Sequence, residues 1–279
     1  MIVIVDSGST KADWKMVNST GTRTISTMGF NPVFHSENKI YQELQEVFGD
    51  DVTPNKAVKV YYYGAGCWDE KLKGVVSNAL TRIFYNADIE VEHDLLGAAR
   101  ATCGRKPGIA CILGTGSNSC LYNGARVTDN VTNLGYLLGD EGSGTHLGKS
   151  LIRAYFYREL PRSLRSEMDK AIPGGKEEIL KHIYGKETPN VYLASFTKFM
   201  SQNIGHPFIQ RLLYNSFAEF IDRHVRKYDN HLSLPIHFIG SVAYYFQDVI
   251  RIVLEERAMT PGNFIQKPID NLVSFHTHN

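Results

Sequence analysis

The first eleven residues, Met1-Ile2-Val3-Ile4-Val5-Asp6-Ser7-Gly8-Ser9-Thr10-Lys11, attach one carboxylate, one glycine, three hydroxyls and an amine to an apolar run. Small side chains let backbone N–H groups and hydroxyls come close to phosphate oxygens, and a neighbouring carboxylate can hold Mg2+ through water. Lys11 suits either a phosphate contact or a solvated hairpin lysine. A second stretch of the same kind, Gly114-Thr115-Gly116-Ser117-Asn118, follows Ile109-Ala110-Cys111-Ile112-Leu113. Neither is a G-x-x-x-x-G-K-[ST] loop or a G-x-G-x-x-G fingerprint. Two such turns, about a hundred residues apart, suit a nucleotide gripped from two sides.

Isolated carboxylates supply further chemistry. Asp94 precedes a helical pattern, so it suits an N-cap, and it suits equally a general base that takes a proton from an attacking hydroxyl. Asp140, in Gly139-Asp140-Glu141-Gly142-Ser143, either caps the next helix or accepts charge-assisted bonds from ligand hydroxyls. Glu141 suits a partner of the helix dipole. Asn31, in Gly29-Phe30-Asn31-Pro32, and Asn118 are each good turn residues. The ten histidines show no spacing that suggests zinc. His276 and His278 fall in a tail expected to fray, and Tyr61, Tyr62 and Tyr63 in a strand.

Strands and helices must hold these groups. Residues 2–5 read as a buried strand, 12–17 as a strand folded back on it, and 22–27 as a third. Helical spacing follows over 40–48, 72–84 and 95–102, alternating with strands over 58–63 and 89–92. The first hundred residues therefore read β-β-β-α-β-α-β-α, a mixed sheet covered by helices. Strands resume at 109, with a second after the glycine turn that ends at Asn123-Gly124. A helix-rich region spans 144–228, with clear patterns over 191–200 and 208–225. A strand over 235–239, a helix over 242–257 and a short tail from 261 complete the chain. The expected domains are 1–105, joined by the tail 262–279, and 106–261 with a helical insertion.

At 279 residues two domains are the natural expectation, and 43% hydrophobic with 21% charged residues suits an ordinary globular chain. With 30 basic and 29 acidic side chains, charge gives no support to nucleic-acid or anionic-membrane binding. The opening apolar run is too short for a signal peptide or membrane anchor. Cys67, Cys103, Cys111 and Cys120 have no C-x-x-C spacing and read as buried reduced thiols, as in a cytoplasmic protein.

Four segments taken together, Asp6 to Lys11, Gly114 to Asn118, Gly135-Tyr136-Leu137-Leu138-Gly139-Asp140-Glu141-Gly142-Ser143 and Ile239-Gly240-Ser241-Val242, resemble the N-acetylglucosamine kinase branch of the BadF/BadG/BcrA/BcrD ATPases. That branch belongs to the actin-like/hexokinase/Hsp70 superfamily, and the segments stand in its order. The resemblance implies an α/β chain of two ribonuclease H-like lobes, with ATP and Mg2+ in an interdomain cleft. It assigns Asp6, Gly8, Ser9, Thr10 and Lys11 to the β- and γ-phosphates, with Asp6 ordering the water shell of Mg2+. Gly114, Thr115 and Gly116 would take the other side of the phosphate chain, and Gly240 and Ser241 would lie beside the nucleoside. Asp94 would be the catalytic base and a sugar ligand, joined by Asn31, Asn118, Gly135 and Asp140. A homodimer stays open.

One departure concerns the sugar. An aromatic precedes the glycine-rich Asp-Glu segment in the animal enzymes and packs on the acetamide, whereas this chain has Leu134. The expected reaction is transfer of the γ-phosphate to a hydroxyl, the 6-hydroxyl first, of an amino sugar. N-acetylglucosamine leads, and glucosamine and N-acetylmuramic acid follow. The alternative class is an ATPase that activates a dehydratase or reductase through a bridged iron–sulfur cluster; the scattered cysteines do not recreate that arrangement.

Overall fold

Alternation at Ala12, Trp14 and Met16 sends three apolar side chains to one face of a strand, and that face covers the core of the first unit. The computed structural model describes residues 1–8, 11–49, 51, 53–185 and 188–277. The chain divides into Met1–Arg105 with Lys267–Asn279, and Lys106–Gln266.

In the first unit β1 (Ile2–Ser7), β2 (Lys11–Asn18) and β3 (Gly21–Met28) form an antiparallel meander. Helix α1 (Glu37–Phe48), β4 (Lys59–Gly64), α2 (Glu70–Ile83), β5 (Asp88–His93) and α3 (Asp94–Cys103) follow. The sheet order is β3-β2-β1-β4-β5, with β1, β4 and β5 parallel. Trp14 is fully buried, edge-on to Phe48 and stacked against Phe84. This aromatic cluster removes much apolar area from water and pins α1 and α2 to the sheet.

The second unit repeats the plan. Strands β6 (Pro107–Leu113), β7 (Ser117–Asn123) and the short β8 (Val127–Asp129) are antiparallel. Seven helices follow: α4 (Gly135–Leu138), α5 (Gly144–Phe156), α6 (Arg162–Ala171), α7 (Gly175–Tyr184), α8 (Pro189–Ser195), α9 (Thr197–Gln202) and α10 (Pro207–Arg223). Then β9 (Ile236–Ile239), α11 (Ser241–Tyr245), α12 (Gln247–Glu255) and β10 (Pro261–Ile265) complete a sheet of order β10-β9-β6-β7-β8. No helix among the described residues is long and apolar enough to cross a membrane.

Some details depart from the sequence pattern. The helix expected over 191–200 is two, α8 and α9, meeting at Phe196. The one expected over 242–257 breaks at Phe246, whose φ of −112° lies outside the helical range while its ring is buried. The tail was expected to leave the second unit from 262, but β10 pairs in parallel with β9, so residues up to Gln266 stay with that unit. Beyond it, α13 (Ile269–Thr277) packs on α3, β1 and β2. His276 is not frayed: its ring lies 3.6 Å from that of Tyr61 and bonds the Tyr63 hydroxyl at 2.7 Å. Burial, helped by the charge of Arg100, holds its pKa down at about 4. His278 lies outside the described residues.

Helices α5 and α8 touch through Gly148, where a Cβ would fall 1.9 Å from the Leu193 carbonyl oxygen. Gly148→Ala is expected to destabilise the second unit by about 1–3 kcal/mol, as overpacking does in a close-packed interior. A lower urea midpoint with an unchanged slope would show it.

Candidate active site

Parallel strands that start in register also end in register. Ser7 pairs with Gly64, and Gly64 with His93, so β1, β4 and β5 deliver their last residues to one edge. In open α/β sheets ligands gather at this carboxyl edge. It carries Asp6 and Ser7, the loop after Gly64, and His93 with Asp94. Ser7 ties the edge together: its Oγ accepts from Phe30 N–H at 3.0 Å, and its carbonyl accepts from Ala65 N–H at 3.0 Å.

Three carboxylates meet here under different conditions. Asp13, opposite Asp6 across the hairpin, is bonded by Lys11 at 2.7 Å, Ser26 at 2.8 Å and Lys267 at 3.2 Å. Burial alone would raise its pKa, but these donors outweigh burial and lower it. Lys11 is thus tied to Asp13 while its side chain stays exposed. Asp6 has no such donors among the described residues. Burial, then the charges of Asp94 and Asp13, push its pKa up to about 7, against a smaller pull from Lys267. Gly8 closes the hairpin by donating to the Lys11 carbonyl at 3.0 Å. Ser9 and Thr10 lie outside the described residues.

Asp94 does not cap α3. The N-cap is His93, whose Nδ1 accepts from Leu95 N–H at 3.0 Å, and Asp94 is the first helical residue. Its Oδ1 lies 2.9 Å from the same Nδ1. Nδ1 already accepts the Leu95 bond, and Asp94 Oδ1 is buried without a donor among the described residues. A carboxylate left short of donors is ready to accept one. Asn31 sits in a side-chain-closed turn, its Oδ1 accepting from Val33 N–H at 3.0 Å. Its amide packs against Gly66, whose φ of +83° and lack of a Cβ both permit the contact.

In the second unit the glycine turn is held from beneath. Gly114 N–H donates to the Gly116 carbonyl at 3.0 Å, while Gly144 and Thr145 N–H donate to the carbonyls of Gly114 and Thr115. Ser143, not Asp140, caps α5. Asp140 instead accepts from Ser117 N–H at 3.0 Å and the Asn133 amide at 2.8 Å, and a Cβ at Gly116 would press on its carboxylate. Burial raises its pKa against those bonds. Ser117 Oγ is buried with no hydrogen-bond partner among the described residues. Asn118 is the second residue of β7, its Oδ1 bonded by Ser119 N–H and the Asn130 amide. Gly135, at φ +69°, opens α4. Glu141 serves α10 rather than the helix dipole: its carboxylate meets His224 at 3.3 Å and Arg223 at 3.6 Å.

Gly240 closes on the same turn. At φ +113°, any Cβ would strike the Leu113 carbonyl at 2.4 Å, so only glycine lets α11 start this near Gly114. Beside Ser241 opens a cavity of about 390 Å3, where Ser241 and Tyr245 face Thr197, Lys198, Ser201 and Gln202 of α9. Its size lies in the ligand-pocket range. The sequence reading missed these α9 residues, as well as His93 and Lys267. Only contact across sequence-distant elements reveals them.

Among the described residues no three metal-ligating side chains converge. A hydrated Mg2+ held by one carboxylate through water needs no such cluster, and the uncompensated charge at Asp6 fits a cation.

Among solved structures, a Porphyromonas gingivalis protein with the provisional name N-acetylglucosamine kinase is 39% identical. The alignment covers 100% of this chain and 99% of that one, with a TM-score of 0.94. A Chromobacterium violaceum protein with the same provisional name is 19% identical over 98% of each chain, TM-score 0.67. A non-polymerising mutant of MamK bound to AMPPNP is 13% identical over 97% of this chain and 95% of its own, TM-score 0.58. These last two share the fold. No protein-family model and no curated protein matches the chain.

Asp6 supplies a stability test. With the folded pKa raised from 3.8 to about 7, the folded state holds a proton that the unfolded state has lost between those values. The carboxyl's contribution is therefore complete below pH 4 and is lost as pH rises through 7. Asp6→Asn should melt close to wild type near pH 3.5, below the unfolded pKa, and several degrees higher at pH 8, about the shift that 1 kcal/mol or more produces. Identical melting curves at both pH values would contradict the burial of this charge.

Proposed function

The chain belongs to the N-acetylglucosamine kinase branch of the actin-like ATPases, with their two ribonuclease H-like lobes, and from that membership we propose that it is an ATP-dependent sugar kinase. The observation that carries the reading is Asp94, a carboxylate at the carboxyl edge of the first sheet, relieved of capping by His93 and with its Oδ1 left without a donor among the described residues. Such a group would take the proton of an attacking hydroxyl as that oxygen bonds the γ-phosphorus and the bond from phosphorus to the bridging oxygen of the departing ADP breaks.

Phosphoryl transfer needs mainly positioning and charge neutralisation. Gly8 and Lys11, with Ser9 and Thr10, would face the β- and γ-phosphates. Gly114, Thr115 and Gly116 would take the phosphate chain with backbone groups, and Ser241 and the cavity beside it would take the nucleoside. Asp6 would hold Mg2+ through water, and that ion would supply charge neutralisation on the phosphates. Asn31, Asn118, Gly135 and Asp140 would orient the sugar. The Asp140 oxygen already held by Ser117 and Asn133 fixes the carboxyl plane, leaving its other oxygen to accept from sugar hydroxyls.

The first candidate substrate is N-acetylglucosamine, phosphorylated at its 6-hydroxyl. Leu134 is 61% exposed and offers apolar contact without a flat face, which keeps glucosamine and N-acetylmuramic acid next in order. The cysteines argue against an activator ATPase. All four are buried, whereas a bridged cluster needs thiolates at a surface.

A coupled ADP-release screen across these sugars tests the reading. Water must be a poor acceptor in a kinase, so the right sugar should stimulate ADP release at least about tenfold, with sugar phosphate formed in equal amount. Hydrolysis at full rate without sugar, and no phosphorylated sugar, would overturn it. Asp94→Asn should lower turnover by about 10²–10⁴-fold while ATP affinity changes little; near wild-type turnover would remove Asp94 as the base.

A further inference from the structure

Trp68 is 55% exposed, yet it is held in place. Its indole lies on the His93 imidazole with ring centroids 3.4 Å apart and a tilt of 32°. The backbone before it is fixed by Gly66 at φ +83° against Asn31 and by the buried Cys67. The residue after it, Asp69, caps α2 by accepting from Leu72 N–H at 2.8 Å. His93 is pinned in turn by the Leu95 N–H bond. An aromatic side chain with two torsions, clamped on both flanks, presents its surface at little entropic cost.

Its neighbour gives that surface a purpose. Asp94 Oδ1 lies 2.9 Å from the Nδ1 of the imidazole on which the indole rests. The carboxylate and the indole thus share one imidazole, with Asp94 at its Nδ1 and Trp68 over its ring, and the other face of the indole is left to a ligand at this edge. A pyranose chair carries its hydroxyls at the rim and exposes a face of C–H bonds. Those hydrogens are slightly positive, and the face of an indole is its negative pole.

We infer that Trp68 is the platform on which the acceptor sugar lies, setting which hydroxyl meets Asp94. This rests on the sugar-kinase reading. As a specificity and positioning residue, Trp68 acts on sugar binding and leaves nucleotide binding alone. Its chemistry favours a neutral pyranose with one unobstructed C–H face.

The chain has two tryptophans, and Trp14 is fully buried, which makes fluorescence a direct probe. N-acetylglucosamine, titrated without nucleotide, should change the emission and reduce acrylamide quenching in the wild type, and should do neither in Trp68→Phe. In steady state, Trp68→Ala should raise the sugar KM about tenfold with the KM for ATP unchanged, as expected for loss of one aromatic contact. Trp68→Phe, which keeps a flat ring and guards against a folding defect in the alanine variant, should retain a sugar KM within about threefold of wild type. A wild-type sugar KM in Trp68→Ala, or a sugar-induced emission change that survives in Trp68→Phe, overturns the platform. Where the wild type phosphorylates sugar and the alanine variant does so with the same KM, only the platform falls. Where the wild type phosphorylates no sugar, the kinase reading falls with it.

Discussion

Like charges at one sheet edge are the constraint around which the first unit is built. Register brings Asp6 and Asp94 to the carboxyl ends of β1 and β5, parallel strands with β4 between them, and the hairpin sets Asp13 beside Asp6. Among the described residues Asp13 alone of the three receives ammonium partners, one from β2 and one from the segment after β10. The remaining negative charge opposes folding, and the aromatic core around Trp14 must outweigh it. Sites kept strained in this way are where natural chains trade stability for activity.

The second unit solves a different problem by different means. A carboxylate beneath a backbone turn can be committed to hydrogen-bond donors instead. Asp140 is so committed on one oxygen, beneath the turn and against Gly116. The turn itself offers backbone groups and the Thr115 hydroxyl. The first N–H groups of α5 are spent on its carbonyls, which stiffens the loop and turns its peptide planes in a definite direction. Gly240 makes the whole arrangement possible by accepting contact with the Leu113 carbonyl. Charge organises the first unit, and backbone geometry organises the second.

Much of this was legible in the residues. Alternation and helical spacing located the strands and most helices, because both periods follow from which face meets the core. The hydroxyl-rich and glycine-rich segments after apolar runs marked where the strands of each hairpin end. What escaped reading depends on partners far away in sequence. Asp94 looked like a cap until His93 proved to hold the Leu95 amide. Breaks at Phe196 and Phe246 leave apolar periodicity intact, so no pattern announces them. His276 looked like tail until Tyr61 and Tyr63 supplied its surroundings. The α9 wall of the cavity has no local signature at all.

The placement of α13 sets an order of events during synthesis. The second unit is one uninterrupted segment, whereas the first is built from two segments separated by it. Domains fold as units while the chain emerges. The second unit can therefore close as soon as β10 has left the ribosome, but the first must wait for α13 to cover β1, β2 and α3. Until then Tyr61 and Tyr63 lack His276, and Asp13 lacks Lys267. For that interval the surface of β1, β2 and α3 that α13 covers stays open, though it was translated first.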